Sequence, residues 1–140
     1  MGKRTGATAD GRRQSESLSK NAAAVLGQDR CGVTAYLLSL QQLDGTRIPD
    51  GTVADVVLHR SAVHGREGMD AFRGLLLAYM NQGGFAVHFN VLDPEILRKA
   101  QKDPASYRNL QIRLCGWNVH FVDLSKEIQD EFILKSAAAQ

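Results

Sequence analysis

The sequence predicts an α/β fold that does not close on itself. From about residue 33 onward, helical and strand-like periodicities alternate, as they do when helices cover a sheet. About four strand-like segments are legible, whereas a barrel that fills its own interior needs roughly eight. The 140 residues make one domain, long enough to bury roughly two-thirds of its unfolded surface. No internal repeat is present.

The elements follow in order. Residues 1–30 are rich in Gly, Ser, Ala, Arg and Lys, poor in large apolar groups, and read mostly as loop. Composition alone leaves a flexible basic tail and an ordered loop equally open. Val33, Tyr36, Leu37, Leu40 and Leu43 recur at helical spacing until Asp44-Gly45. Thr52 to His59 is β-branched and alternating, a strand. Met69, Phe72, Leu75, Leu76, Tyr79 and Met80 share one face of a second helix, stopped by Gly83-Gly84. Phe85 to Leu92 alternates as a second strand. Asp93-Pro94 opens a helix with a capping aspartate and proline at the first position, and Asp103-Pro104 repeats the signal for a short turn. Ile112 to Val122 reads as strand, glycine-centred bend and strand. Ser125 then caps a final helix that buries Ile128, Phe132 and Ile133.

Charge and composition exclude several functions. A net charge of +2 argues against a dedicated nucleic-acid or membrane surface. No apolar run is long enough to span a membrane and no leader opens the chain, so a cytoplasmic location is expected. Cys31 and Cys115 read as free thiols. His59, His64, His88 and His120 show no paired metal-ligand spacing, so no metal site is expected. Gly2, Gly6 and Gly11 lack the lysine-hydroxyl ending of a phosphate loop.

Gly116 is the most informative position. Glycine inside the apolar run Ile112-Arg113-Leu114-Cys115-Gly116-Trp117-Asn118-Val119-His120-Phe121-Val122 weakens a strand, and marks a bulge, a bend or a close approach to the backbone. A bare Cα also has a chemical use. Loss of one hydrogen leaves a radical delocalised over the flanking amide nitrogen and carbonyl, and an unsubstituted carbon planarises most easily.

Arg113-Leu114-Cys115-Gly116-Trp117, followed by Phe121-Val122-Asp123-Leu124-Ser125-Lys126-Glu127-Ile128-Gln129-Asp130-Glu131, resembles the C-terminal signature of the glycyl radical enzymes. Three further stretches are similar to family segments. They are Gly2 to Arg12 (a glycine-rich loop, with Ala9 where proline is usual), Asp29 to Ala35, and Gly83-Gly84-Phe85-Ala86-Val87-His88-Phe89-Asn90-Val91, with His88 where glutamine is common. Leu97 to Pro104, Tyr107 and Leu110 match the linker back to the radical loop. The resemblance implies the C-terminal part of a ten-stranded α/β barrel like that of pyruvate formate-lyase. Residues 1–30 would be its glycine-rich loop segment and 31–140 its glycine radical domain. Cys115-Gly116-Trp117-Asn118 leans toward the arylacetate decarboxylase branch.

The resemblance makes Gly116 the radical carrier, supported by Arg113, Cys115 and Trp117. Arg113 would orient the loop through hydrogen bonds, Cys115 reads as a small buried side chain, and Trp117 as a packing anchor. Leu114, Trp117, Val119 and Phe121 would bury the radical against water and dioxygen. His88 and Asn90 share a strand face toward the barrel interior, with a structural role and substrate contact both open. The family's activating enzyme is separate and uses S-adenosylmethionine and a [4Fe-4S] cluster. The family's thiyl cysteine lies upstream, and neither cysteine here stands in its context, so this chain would store a radical without turning over substrate alone. Three readings follow. One is the radical-storing segment of a lyase, decarboxylase or acyltransferase, favoured because the match starts abruptly at Met1-Gly2-Lys3. The others are a spare part for an oxygen-damaged enzyme and a non-catalytic binding module.

Overall fold

The structure, a computed structural model, describes residues 2–19, 22–25, 28–44 and 47–139. Among them the α/β alternation is realised as α1 (Gly32–Leu40), β1 (Val53–His59), α2 (Gly65–Asn81), β2 (Ala86–Leu92), α3 (Pro94–Lys102), β3 (Gln111–Leu114), β4 (Trp117–His120) and α4 (Lys126–Ala138). The four strands form two separate pairs. β1 and β2 run parallel, from Val53 opposite Ala86 to His59 opposite Leu92, with α2 as the crossover such a pair requires. β3 and β4 form an antiparallel hairpin.

Strand alternation explains the layering. Ala54, Val56 and Leu58 on one face of β1 pack with Leu37 of α1 and Tyr79 of α2, joined by Val87 and Phe89 of β2. The Phe72 and Phe89 rings meet edge to face, with centroids 4.8 Å apart. The other face carries Val57 and Leu92 into a second core with Leu97, Ala100, Ile112, Phe121, Phe132 and Ile133. That second core is the seat of the hairpin. Helix α3 reaches it because Pro94, Leu97 and Ala100 recur every three residues, and the Asp93 carboxylate accepts from the Glu95 N–H to start the helix. Gln101 of α3 donates to Asp130 of α4 at 2.7 Å, tying the two helices beneath the hairpin.

Several expectations need correction. Helix α1 ends at Leu40, so Leu43 lies outside it and is exposed; the Gln41, Gln42 and Leu43 amides bond back to Leu37, Ser39 and Leu40 in turns. Gly45 lies outside the described residues. Phe72, Leu75, Leu76 and Tyr79 are covered to different degrees, but Met69 and Met80 at the ends of that stripe are exposed, because none of the described residues covers them. Phe85 precedes β2 and lies over Gly51 instead, where any added Cβ would come within 2.4 Å of its ring. Ser125 holds the N-cap position of α4, yet its side chain does not cap the backbone. It bonds Glu127 instead, which together with other contacts holds that carboxyl below the usual range.

The described part of the N-terminal segment is loop with its own hydrogen bonds. Thr8 N–H donates to the Arg12 carbonyl, Ser15 N–H donates to that of Thr5, and the Arg12 guanidinium reaches the carbonyls of Gly6, Arg13 and Glu16.

The Gly83-Gly84 stop has a packing reason. A Cβ on Gly84 would sit 2.4 Å from the buried Tyr79 ring. That ring is held by its hydroxyl, which donates to Ala86 O at 3.2 Å, so it has little room to yield. Gly84→Ala is expected to lower stability by about 1–3 kcal/mol. A shift in urea midpoint measures it, and an unchanged midpoint would show the ring to be mobile.

Candidate functional site

The hairpin places Gly116 at its tip. Leu114 pairs with Trp117, leaving Cys115 and Gly116 as a two-residue loop. Both have positive φ, +49° and +87°, as a type I′ turn requires. That turn follows the right-handed twist of its strands, and the second loop position suits glycine. Cys115 is the strained member, since a non-glycine residue in the left-handed region costs about 1 kcal/mol. Its side chain is exposed, so Cys115→Gly is expected to raise the thermal midpoint. A lower midpoint would mean that the thiol makes contacts worth more than the strain.

Around Gly116 there is open space. A Cβ built on it would have no heavy atom within 4 Å, so one of its two α-hydrogens already points where a reagent could reach. The tip is bare in this chain: Cys115, Gly116 and Asn118 are exposed and Trp117 is 75 % exposed. The described residues of this chain do not themselves supply the expected burial. Leu114 and Val119 are half-covered by the second core and Phe121 is fully buried, so shielding stops at the base of the finger. Among the described residues Trp117 is left uncovered and Cys115 exposed, so the packing expected of them is not met within this chain. The cause is position, because the two turn residues and their flanking pair extend past every element of this chain that could cover them.

Below the tip the predicted residues converge. Arg113 sits opposite Asn118, and its guanidinium donates to the Asn118 side-chain oxygen at 3.2 Å across the hairpin. Asn90 on β2 is 5 % exposed and bonds the main chain of Arg113 twice. His88, two residues earlier on the same strand face, instead pairs with Asp55 directly across the parallel sheet at 3.2 Å. Asn90 thus joins the finger, while His88 stays in the sheet.

Gln129 was not singled out in the sequence. It is buried in α4, and its amide donates to the carbonyls of Phe121 and Leu124 at 3.1 Å, with Val122 at 3.5 Å. It fixes the short turn through which the finger returns to the helix. The available signal was a polar residue inside the stripe of Ile128, Phe132 and Ile133. Both cysteines are free and exposed, and among the described residues no three His, Cys, Asp or Glu side chains gather as a metal site. No helix of the described residues is long and apolar enough to cross a membrane. A cavity of about 280 Å³ lies away from the finger, lined by residues including Tyr36, Asp55 and Lys135; burial foremost pushes the Tyr36 hydroxyl up to about 12.

A family model described as "Glycine radical" matches residues 18–122, and the chain belongs to that family. It is 39 % identical over 140 residues to the indoleacetate decarboxylase of Tractidigestivibacter scatoligenes, covering 96 % of this chain and 15 % of that protein. It is 35 % identical over 133 residues to the trans-4-hydroxy-L-proline dehydratase of Clostridioides difficile, covering 95 % and 17 %. Among solved structures, the glycerol-bound B12-independent glycerol dehydratase of Clostridium butyricum superposes with a TM-score of 0.87 at 37 % identity, over 96 % of this chain and 17 % of that one. The fold is accordingly a C-terminal portion of the barrel of these enzymes, and the chain spans about a sixth of their length. The homologues are glycyl radical enzymes, and family membership implies a glycine-centred radical.

Proposed function

We propose that Gly116 is the radical carrier of an enzyme that cleaves C–C or C–X bonds anaerobically in the cytoplasm, of the decarboxylase or dehydratase type. One observation carries this reading: Gly116 stands at the tip of a hairpin with a bare Cα facing open space. The radical would supply a stored unpaired electron. This chain's residues supply its setting: a turn that presents the Cα–H, a buried base that fixes its direction, and amide neighbours that delocalise the spin.

The bare tip indicates what must be added. Shielding for Trp117 and Cys115, and the cysteine that acts on substrate, would come from the remainder of the enzyme. Residues 1–30 would lie as a loop against that remainder and 31–140 would form the radical domain. A separate radical S-adenosylmethionine enzyme with a [4Fe-4S] cluster would remove the hydrogen atom, for which an accessible finger is required.

Anaerobic incubation with such an activating enzyme, S-adenosylmethionine and a reductant is expected to yield an organic EPR signal split in two by the one remaining α-hydrogen. A silent spectrum, from an activase that switches on a control enzyme, would refute the proposal.

A further inference from the structure

We infer that Asn90 is the positioning residue of the finger, standing in for a missing strand partner. The phase of the hairpin explains why one is needed. Leu114 and Trp117 close a two-residue loop and so form a hydrogen-bonded pair. Phe121 N–H donates to Leu110 O at 2.8 Å, which fits the same alternation at the other end of the hairpin. Arg113, between them, is therefore a non-hydrogen-bonded position, and its N–H and C=O point away from β4 toward β2. No β2–β3 ladder exists to receive them, because the two pairs are separate sheets.

Asn90 receives both. Its side-chain nitrogen donates to Arg113 O at 2.9 Å, and its side-chain oxygen accepts from Arg113 N–H at 2.7 Å. One planar amide thereby reproduces the donor-acceptor pair of a neighbouring strand, at a site 5 % exposed where neither group has water as a substitute. Through the Arg113 side chain the clamp continues to Asn118, so both strands of the finger are referenced to β2 three residues before Gly116. A full ladder would fuse finger and sheet into one surface. A single amide fixes direction while leaving two sheets.

The importance of this for a radical rests on the reading of Gly116 above, but the clamp does not. The native thiols give a direct test, because Cys31 at the start of α1 and Cys115 at the tip are both free and exposed. Nitroxide labels on them, read by pulsed dipolar EPR on the whole chain, should give a narrow distance distribution. Asn90→Leu keeps the branched shape of the side chain, with bulkier methyl groups in place of the amide atoms, and removes both bonds. It is expected to broaden that distribution and to speed Arg113 amide exchange roughly tenfold or more, while α3 and α4 keep their protection. A role limited to filling the core predicts no broadening in the leucine variant, and that result would overturn the inference. So would a broad distribution in the unaltered chain. If Asn90→Leu fails to fold, Asn90→Asp decides: it keeps the acceptor, loses the donor to Arg113 O, and must also broaden the distribution. None of these readouts involves a radical on the protein backbone, so a chain silent to activation sinks the reading of Gly116 without touching the clamp.

Discussion

Gly116→Ala is expected to abolish the radical signal completely while leaving the domain folded. The two effects separate because they have different origins. The structural cost is conformational: alanine at φ +87° is strained by roughly 1–2 kcal/mol. No steric cost adds to it, since a Cβ there meets nothing within 4 Å. A domain with ordinary stability of about 5–15 kcal/mol tolerates that loss. The chemical cost is total, because a methyl group replaces one of the two hydrogens and crowds a carbon that must flatten between two peptide planes. The variant's urea transition and anaerobic spectrum, measured on the same preparation, test both parts. Persistence of the signal in a folded variant would place the spin elsewhere.

Phe121→Ala is expected to be the most damaging single change to the fold, at about 3–5 kcal/mol. The side chain is 0 % exposed and packs where α3, α4 and the hairpin base meet. Its backbone is also engaged at both ends, by Leu110 and by Gln129. Truncation would leave a cavity under the finger that these hydrogen bonds prevent from collapsing. Trp117→Ala, four residues away and 75 % exposed, is expected to change stability very little in this chain. Equal losses from the two substitutions, in chemical denaturation of dilute protein, would mean that the tip is packed after all.

The parts of the fold legible in the sequence were those governed by local chemistry. Asp93-Pro94 announced α3 because capping and a preset proline φ act within one turn, and the alternation in 53–59 announced β1 because its buried face repeats every second residue. Gly116 was legible as a bend because no other residue so readily takes its φ.

What escaped depended on contacts remote in sequence. Nothing in Met69, Met80 or Trp117 distinguishes an apolar side chain covered by this chain from one left bare, since the covering surface decides it. Gln129 carries no motif, and the family-like stretch that contains Asn90 does not say what its amide bonds. Their roles arise from carbonyls 23 residues away in one case and five to eight in the other. The strands were counted correctly among the described residues, but their division into two sheets was not legible, because periodicity does not record which strands pair.

The site of oxygen-dependent chain scission bears most directly on the identity of the carrier. After anaerobic activation, admitting air should cut the polypeptide at residue 116, leaving fragments whose masses end and begin at that position, with no cleavage in unactivated chain or in Gly116→Ala. An activated chain that stays whole in air, or breaks at another residue, would contradict the assignment of the radical to Gly116.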